Sequence, residues 1–217
     1  MKLAEKISLA LVSLSLTFLS VISAQEVKFG AVAWAFATYS ESPTTLRVNG
    51  QQVAPSPIPS GMTSVGLLFP EGATQVQVSQ DAIAAQSKTF DNSSGQSHVV
   101  VVFNHSKPDE SGKMEDSAYI LPITAAGMGK GSHFRVLYVA EPNPTTALIN
   151  ETSVELKPFE PSGIIRSGSL DIQIGPAKFE VAPGEPEDLL VVIYKDRDGT
   201  LKQVAVSDQN LVNPRVN

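Results

Sequence analysis

Short stretches in which apolar and polar residues strictly alternate recur along the chain. In TQVQVSQ, Thr74 to Gln80, valines alternate with polar residues, and SLDIQI, Ser169 to Ile174, repeats the pattern with leucine and isoleucine. Successive side chains of a β-strand point to opposite faces, so a period of two predicts strands with one face in the core and one in water.

Two other apolar stretches do not alternate: HVVVVF, His98 to Phe103, and LLVVIY, Leu189 to Tyr194. Continuous apolar runs of this length are typical of central strands that are covered on both faces, or of strands with an apolar outer face. Asn49-Gly50 and Asp198-Gly199 follow or separate extended segments and predict hairpin turns. Only DAIAAQSKTF, Asp81 to Phe90, favours a short helix, with Asp81 as its N-cap.

The chain contains an internal repeat. PTTLRVN at 43–49 returns as PTTALIN at 144–150, and the Pro-Ser-Gly at 59–61 returns at 161–163, in the same order. Self-similarity at a long period indicates two copies of one folding unit. Many short strands with turn signals favour antiparallel sandwiches. We therefore predict an all-β protein made of two tandem antiparallel β-sandwich units, at 25–126 and 132–217, joined by a Gly-rich linker at 127–131. One merged sandwich is the structural alternative.

Three segments of the first copy carry a resemblance to a known family. Ser42-Pro43, LRVNG at 46–50 and FPEGATQVQV at 69–78 resemble the SPDAP, VYVNG and LPAGTYTVKV segments of bacterial extracellular immunoglobulin-like modules of unknown function. In the second copy Asn150 is followed by Glu151 instead of Gly, and GPAKFEV replaces the Pro-Ala-Gly turn. The resemblance implies immunoglobulin-like units in the cell envelope and no established catalytic residues.

The N-terminus predicts export. Residues 1–24 have a weakly positive start, an apolar run and a small residue at Ala24, as in a secretory signal peptide. An N-terminal membrane anchor is the alternative, but the run is shorter than the roughly 20 residues of a spanning helix. Exported domains without cysteine suit a bacterial envelope better than a eukaryotic exterior. We expect cleavage after Ala24, a periplasmic or extracellular location, and no membrane span in the remainder.

Charge limits the classes of partner. The formal net charge is −6, and no basic cluster follows the predicted leader. This distribution disfavours nucleic acid and anionic membranes as partners.

The candidate catalytic groups are few. The chain has three histidines, His98, His105 and His133, no cysteine and no G-x-S-x-G nucleophile motif. A dispersed hydrolase site would require His98, His133 and an acid in one cleft. Trp34, the single tryptophan, is interpreted as a core residue.

Three loops contain residues that suggest ligand binding. DRDG at 196–199 begins like a calcium loop, but Ser207 stands where the closing glutamate belongs, so a hairpin turn is favoured. DESGKMED, Asp109 to Asp116, is either a loose calcium site or a solvated loop. GMGKGS, Gly127 to Ser132, lacks phosphate-loop spacing and is interpreted as a linker.

These observations favour an exported, non-enzymatic envelope protein that binds a protein or polymer partner or has a structural role. Loops at 51–62 and 155–163, or free edge strands, would form the contact surface. A hydrolase with a dispersed site between the copies and a calcium-dependent adhesin-like unit are the alternatives. No catalytic, cofactor-binding or metal-binding residue is assigned.

Overall fold

The chain folds as an all-β protein. The computed structural model describes residues 28–64, 66–93, 95–108, 110–127, 131–183 and 187–209, and they form sixteen strands and no helix. The predicted signal peptide and the centre of the predicted linker lie outside the described residues. The strands are β1 (Phe29–Ala37), β2 (Thr44–Val48), β3 (Gln51–Gln52), β4 (Leu67–Pro70), β5 (Gly72–Gln80), β6 (Ile83–Asn92), β7 (Ser97–Pro108), β8 (Met114–Thr124), β9 (His133–Tyr138), β10 (Thr145–Ile149), β11 (Thr152–Leu156), β12 (Ile165–Arg166), β13 (Leu170–Ile174), β14 (Ala177–Val181), β15 (Asp188–Lys195) and β16 (Leu201–Ser207).

The first half of the chain, β1 to β8, and the second half, β9 to β16, pair their strands in the same order. The second half forms two four-stranded sheets, β11-β10-β13-β14 and β12-β9-β15-β16. The first half has the equivalent groups β3-β2-β5-β6 and β8-β7-β1-β4, which a single parallel pair, Ala84 with Ser117, joins into one eight-stranded sheet. Apart from that pair, each strand of one half has a counterpart with the same neighbours in the other.

The prediction of purely antiparallel sheets is wrong. β1 pairs with β7 in parallel, and β9 pairs with β15 in parallel. The first strand of each half lies between an antiparallel edge strand and this parallel partner. A parallel partner strand is distant in sequence, so no local turn motif predicts the pairing.

The predicted helix at 81–90 is also wrong. Asp81 and Ala82 form the turn of a hairpin, with Ala82 at φ 62°, and β6 begins at Ile83. β6 pairs with β5 from Gly72 to Gln80. The backbone hydrogen bonds offered by β5 outweigh the weak helix preference of the alanines in this segment.

The predicted alternation and hairpins are confirmed. Val76 and Val78 are fully buried, whereas Gln75 and Gln77 are exposed. Asn49 and Gly50 both have positive φ, at 50° and 80°, and they connect β2 to β3. A turn with two positive φ values matches the right-handed twist of the strands that it joins.

Three hydrophobic cores lie between four sheet layers. One core fills the sandwich of the first half and contains Trp34, and a second fills the sandwich of the second half. The third, which we name the inter-half core, lies between the β1–β7–β8 layer and the β9–β15–β16 layer. The two apolar runs of the sequence are therefore covered on both faces, as predicted: Val99 and Val101 contribute to the inter-half core, and Val100 and Val102 to the first sandwich.

β1 has faces of unequal size. Its larger side chains enter the core of the first sandwich, and its alanines enter the inter-half core. The first set comprises Val32, Trp34 and Phe36, and the second comprises Ala33, Ala35 and Ala37. The interpretation of Trp34 as a core residue is confirmed, because only 1% of its surface is exposed.

Candidate functional site

The three histidines occupy separate environments. His98 is buried in β7 and lies against Phe90, with 5.4 Å between the ring centroids. His133 is buried at the start of β9, and its Nδ1 lies 2.7 Å from Oδ1 of Asp188. His98 thus lies against a residue of the first sandwich's core, whereas His133 is paired with an acid of the second half. The structure therefore does not bring together the pair that a dispersed hydrolase site would require.

His133 is connected, through Asp188, to a polar cluster where the halves meet, because the backbone oxygen of Asp188 accepts a hydrogen bond from the amide of Asp208. Arg135 donates to both carboxylate oxygens of Asp208, through Nε and Nη2, at 2.6 Å each. The same guanidinium donates to the backbone carbonyl of Thr124 in the first half at 3.0 Å. The backbone oxygen of Asp208 accepts a hydrogen bond from Gly127 at the start of the predicted linker. The cluster anchors the connection between the halves.

The DRDG turn is a hairpin turn, as predicted, and it also docks onto the first half. Asp196 accepts hydrogen bonds from the backbone nitrogen and the hydroxyl of Ser40, and it forms an ion pair with Lys202. Burial raises the pKa of Asp196, but the hydrogen bonds from Lys202 and Ser40 outweigh burial and hold the pKa well below its usual range. Both carboxylate oxygens are therefore engaged by protein donors.

Arg197, in the same turn, completes this contact, which we name the inter-half clamp together with Ser40 and Asp196. Its guanidinium lies 3.0 Å from a carboxylate oxygen of Glu41 and 2.9 Å from one of Asp116, and it stacks 5.0 Å from the Tyr39 ring centroid. Asp116 comes from the acidic loop in which the sequence suggested calcium.

The structure assembles no metal site from these acids. Within the described residues, no group of three or more His, Asp or Glu side chains is arranged to hold a metal ion. Asp109 of the acidic loop and residues 128–130 of the GMGKGS segment lie outside those residues. In the part of the chain that the structure describes, no helix has the length and apolar composition to cross a membrane.

The edge at β4 exposes apolar side chains. β4 is the last strand of its sheet and, within the described residues, pairs with β1 alone. Leu68 is 61% exposed, and Phe29 and Leu67 are also exposed. Met62 extends this edge, since its backbone oxygen accepts a hydrogen bond from the amide of Phe36 in β1. We name these four side chains the apolar edge; the sequence indicated free edge strands but not which edge would be apolar.

A second surface feature is a cleft of about 320 Å³ at the margin of the inter-half core, which we name the inter-half cleft. Three aromatic rings form its wall. The Phe103 ring stacks on Tyr119 at a centroid distance of 5.3 Å and on Phe159 of the second half at 5.6 Å. Nearby Pro142 also comes from the second half. The cleft is thus built by both halves.

Basic side chains line the same cleft. Lys88, His105 and Lys107 are among its lining residues, and Nζ of Lys107 lies 5.0 Å from the centroid of the Tyr119 ring. Burial lowers the pKa of His105, and the charge of Lys107 lowers it further, so the imidazole is neutral at neutral pH. The positive charge of the cleft therefore comes from its lysines.

The predicted contact loops have mixed surroundings. Most of the 51–62 loop is exposed, but its Ser60 hydroxyl lies 3.1 Å from the Tyr194 hydroxyl of the second half. The 155–163 loop contributes Phe159 to the cleft. Sequence reasoning named both loops but not this side chain, because the ring direction depends on an unusual backbone angle of Phe159, φ 64°.

No protein-family model matches the sequence, and no curated protein sequence matches it significantly.

Proposed function

We propose that this chain is an exported, non-enzymatic protein of the bacterial envelope that binds a partner through its apolar edge. The proposal includes an origin by duplication of one immunoglobulin-like sandwich. The shared strand order of the halves and the returning PTT and Pro-Ser-Gly motifs support the duplication. The N-terminal leader pattern supports export.

One observation carries the binding function. Among the described residues, seven large apolar side chains are exposed, and four of them lie along one edge: Phe29, Met62, Leu67 and Leu68. Scattered apolar residues are normal on protein surfaces, whereas several exposed apolar side chains along one strand edge favour an interaction site. A concentration on one free edge therefore favours recognition of another molecule at that position.

The edge also offers backbone groups. β4 pairs with β1 on one side and with no described strand on the other. Exposed edge strands with apolar side chains are templates for strand addition, and charged side chains are one of the devices that protect such edges. The segment 67–70, LLFP, contains no charged residue. A partner with an extended peptide segment fits this edge better than a polymer without peptide groups.

The pairing register of β4 with β1 shows which side chains of the apolar edge lie on the same side of the sheet. Phe29 pairs with Pro70 and Ala31 pairs with Leu68. Paired residues and alternate residues of a strand share a face, so Phe29 and Leu68 project from the same side of the sheet. An incoming strand would hydrogen-bond to β4 and place its own apolar side chains beside Leu68.

The test is affinity capture from the envelope fraction of the producing cell, using the chain from Gln25 onward. Leu68→Lys should remove the captured partner, because it places a charge in the apolar edge. Leu148→Lys, which changes an exposed leucine on β10, is the matched control and should retain it. Equal capture by both variants would contradict the role of the edge, and turnover in a broad hydrolase screen would contradict the non-enzymatic function.

A further inference from the structure

We propose that the inter-half cleft is a binding site for a small planar aromatic anion, such as an aromatic carboxylate. This site lies on a different surface from the apolar edge and does not depend on the proposed partner. Its volume of about 320 Å³ lies at the lower end of the range of small-molecule pockets.

The wall of the cleft favours a planar ligand. The rings of Phe103 and Tyr119 are 19° from parallel, and those of Phe103 and Phe159 are 24° from parallel. Tyr119 and Phe159 are only partly buried, so their surfaces remain available beside the buried Phe103. Aromatic rings prefer offset stacking or edge contacts with other rings, so a flat aromatic molecule would extend the existing stack.

The charges of the cleft select the sign of the ligand. Its described lining contains Lys88, His105 and Lys107, and it contains no carboxylate. The nearby Glu141 is paired with Lys195, so its charge is locally compensated. An anionic group on a ring in the cleft would lie near the lysines, where complementary charge favours binding and selects against cations.

The backbone of Phe159 indicates that this ring is held in place against a conformational cost. A bulky side chain at φ 64° is a genuine outlier, since only glycine, asparagine and aspartate adopt this region readily. The conformation is fixed by a 2.9 Å hydrogen bond from the Phe159 amide to the Tyr138 carbonyl. Strained residues cluster at binding sites, and here the strained residue forms one wall of the cleft.

The first half has no equivalent of this ring. The counterpart of Phe159 is Gly61, whose φ is 76° and whose amide donates to the carbonyl of Phe36 in β1, as the Phe159 amide donates to the carbonyl of Tyr138 in β9. A general requirement of the fold would call for an aromatic residue in both halves. The cleft is therefore a local feature of the second half's contact with the first, not a consequence of the shared topology.

The test is titration of the chain from Gln25 onward with 2-naphthoate, followed by calorimetry and by NMR. We expect saturable one-to-one binding, and weaker binding of the neutral analogue 2-naphthylmethanol. Absence of saturable binding up to millimolar 2-naphthoate, or equal affinity for the neutral analogue, would overturn the proposal.

Two variants locate the site. Phe159→Asn removes the ring but tolerates the positive φ, and it should weaken 2-naphthoate binding by about fivefold or more. Phe179→Asn, which removes a partly buried ring from β14, should leave binding unchanged. If both variants bind equally, the cleft is not the site.

A charge variant keeps the test valid if Phe159→Asn fails to fold. Lys107→Glu changes an exposed side chain and should weaken 2-naphthoate binding by about threefold or more without altering the thermal unfolding midpoint. Lys178→Glu, on the exposed surface of β14, is the matched control and should bind normally. If both lysine variants weaken 2-naphthoate binding equally, the effect comes from the net charge of the protein and not from the cleft, and the assignment is overturned.

Discussion

The hydroxyl of Ser40 donates a 2.5 Å hydrogen bond to the carboxylate of Asp196, which joins the first half of the chain to a hairpin turn of the second. Asp196 is 7% exposed, and its carboxylate also accepts hydrogen bonds from the Ser40 amide and the Arg197 amide. A loop whose sequence suggests calcium is thus occupied by donors of the protein itself.

Asp196→Ala should destabilise the protein by about 2–3 kcal/mol, because it removes charge-assisted hydrogen bonds and leaves the Ser40 donors without their acceptor. Asp198→Ala in the same turn is the control. Asp198 is exposed and accepts a hydrogen bond from the amide of Thr200, so its loss should cost about 1 kcal/mol or less. Denaturant unfolding of both variants measures the difference, and equal losses would contradict the special role of Asp196.

The same carboxylate predicts a dependence of stability on acid pH. Its pKa in the folded protein is below the ordinary value of about 3.9, so the unfolded chain binds the proton first. The stabilisation is complete at neutral pH, begins to decline near the unfolded pKa and is lost as pH falls toward the folded pKa.

Unfolding free energies measured from pH 6 downward should therefore fall more steeply for the natural chain than for Asp196→Asn. Parallel curves for the two proteins would contradict the depressed pKa of this carboxylate.

Two equivalent turns differ in one residue, and this predicts a stabilising substitution. Glu151 adopts φ 65° at the position that Gly50 occupies in the first half. A residue with a side chain pays about 1–2 kcal/mol of conformational energy in this region. Replacing it with glycine removes that cost, but part of the gain is offset because glycine makes the unfolded chain more flexible. Glu151→Gly should raise the unfolding free energy by about 0.5 kcal/mol, and the reciprocal Gly50→Glu should lower it by about 1 kcal/mol. A loss of stability in Glu151→Gly would contradict this explanation.

Gly30 allows Asn92 to lie directly over β1. A methyl group at Gly30 would lie 2.3 Å from the Asn92 side-chain oxygen. The Asn92 amide is fully buried and donates to the carbonyls of Phe69 and Pro70, which attach β4 to the end of β6. Gly30→Ala should cost about 2–3 kcal/mol, since displacing the amide leaves buried groups unpaired.

The control for this substitution is Gly168→Ala. No atom lies within 4 Å of a methyl group added at Gly168, and its φ is not positive. Its effect should stay within about 0.5 kcal/mol. Similar unfolding midpoints for the two variants would contradict the close approach at Gly30.

The inter-half core predicts that both halves unfold in one transition. Trp34, the single tryptophan, reports on the first half. Ile172→Ala empties part of the core of the second sandwich and should destabilise it by about 2–5 kcal/mol. If the halves unfold together, the Trp34 fluorescence transition should shift by the same free energy as circular dichroism. An unshifted Trp34 transition would show that the halves unfold independently.

Local chemistry explains what the sequence predicted correctly. The alternation around Val76 follows from the two-residue period of a strand, and the Asn49-Gly50 turn follows from the tolerance of both residues for positive φ. Each feature is determined by neighbours within a few positions. The apolar runs also predicted coverage on both faces, but the identity of the second cover, the other half of the chain, required the structure.

The errors and omissions have the opposite origin. The segment after Asp81 has weak helix preferences, and its strand state depends on hydrogen bonds to β5. The parallel pairing of β1 joins residues far apart in sequence. The position of Phe159 depends on a hydrogen bond to Tyr138 and on a rare backbone angle. None of these determinants can be predicted from the sequence immediately around the residue concerned.

The unequal faces of β1 determine both how closely the two halves pack and the register of β1 against β7. Methyl groups alone separate its backbone from the second half, whereas Trp34 and its large neighbours fill the other side. A shift of β1 by one residue against β7 would exchange the two sets, because each step reverses every side chain. It would leave voids within one sandwich and force an indole into a gap sized for alanine. The register of β1 is therefore specified by packing in two cores at once, and a misaligned strand would destabilise both of them.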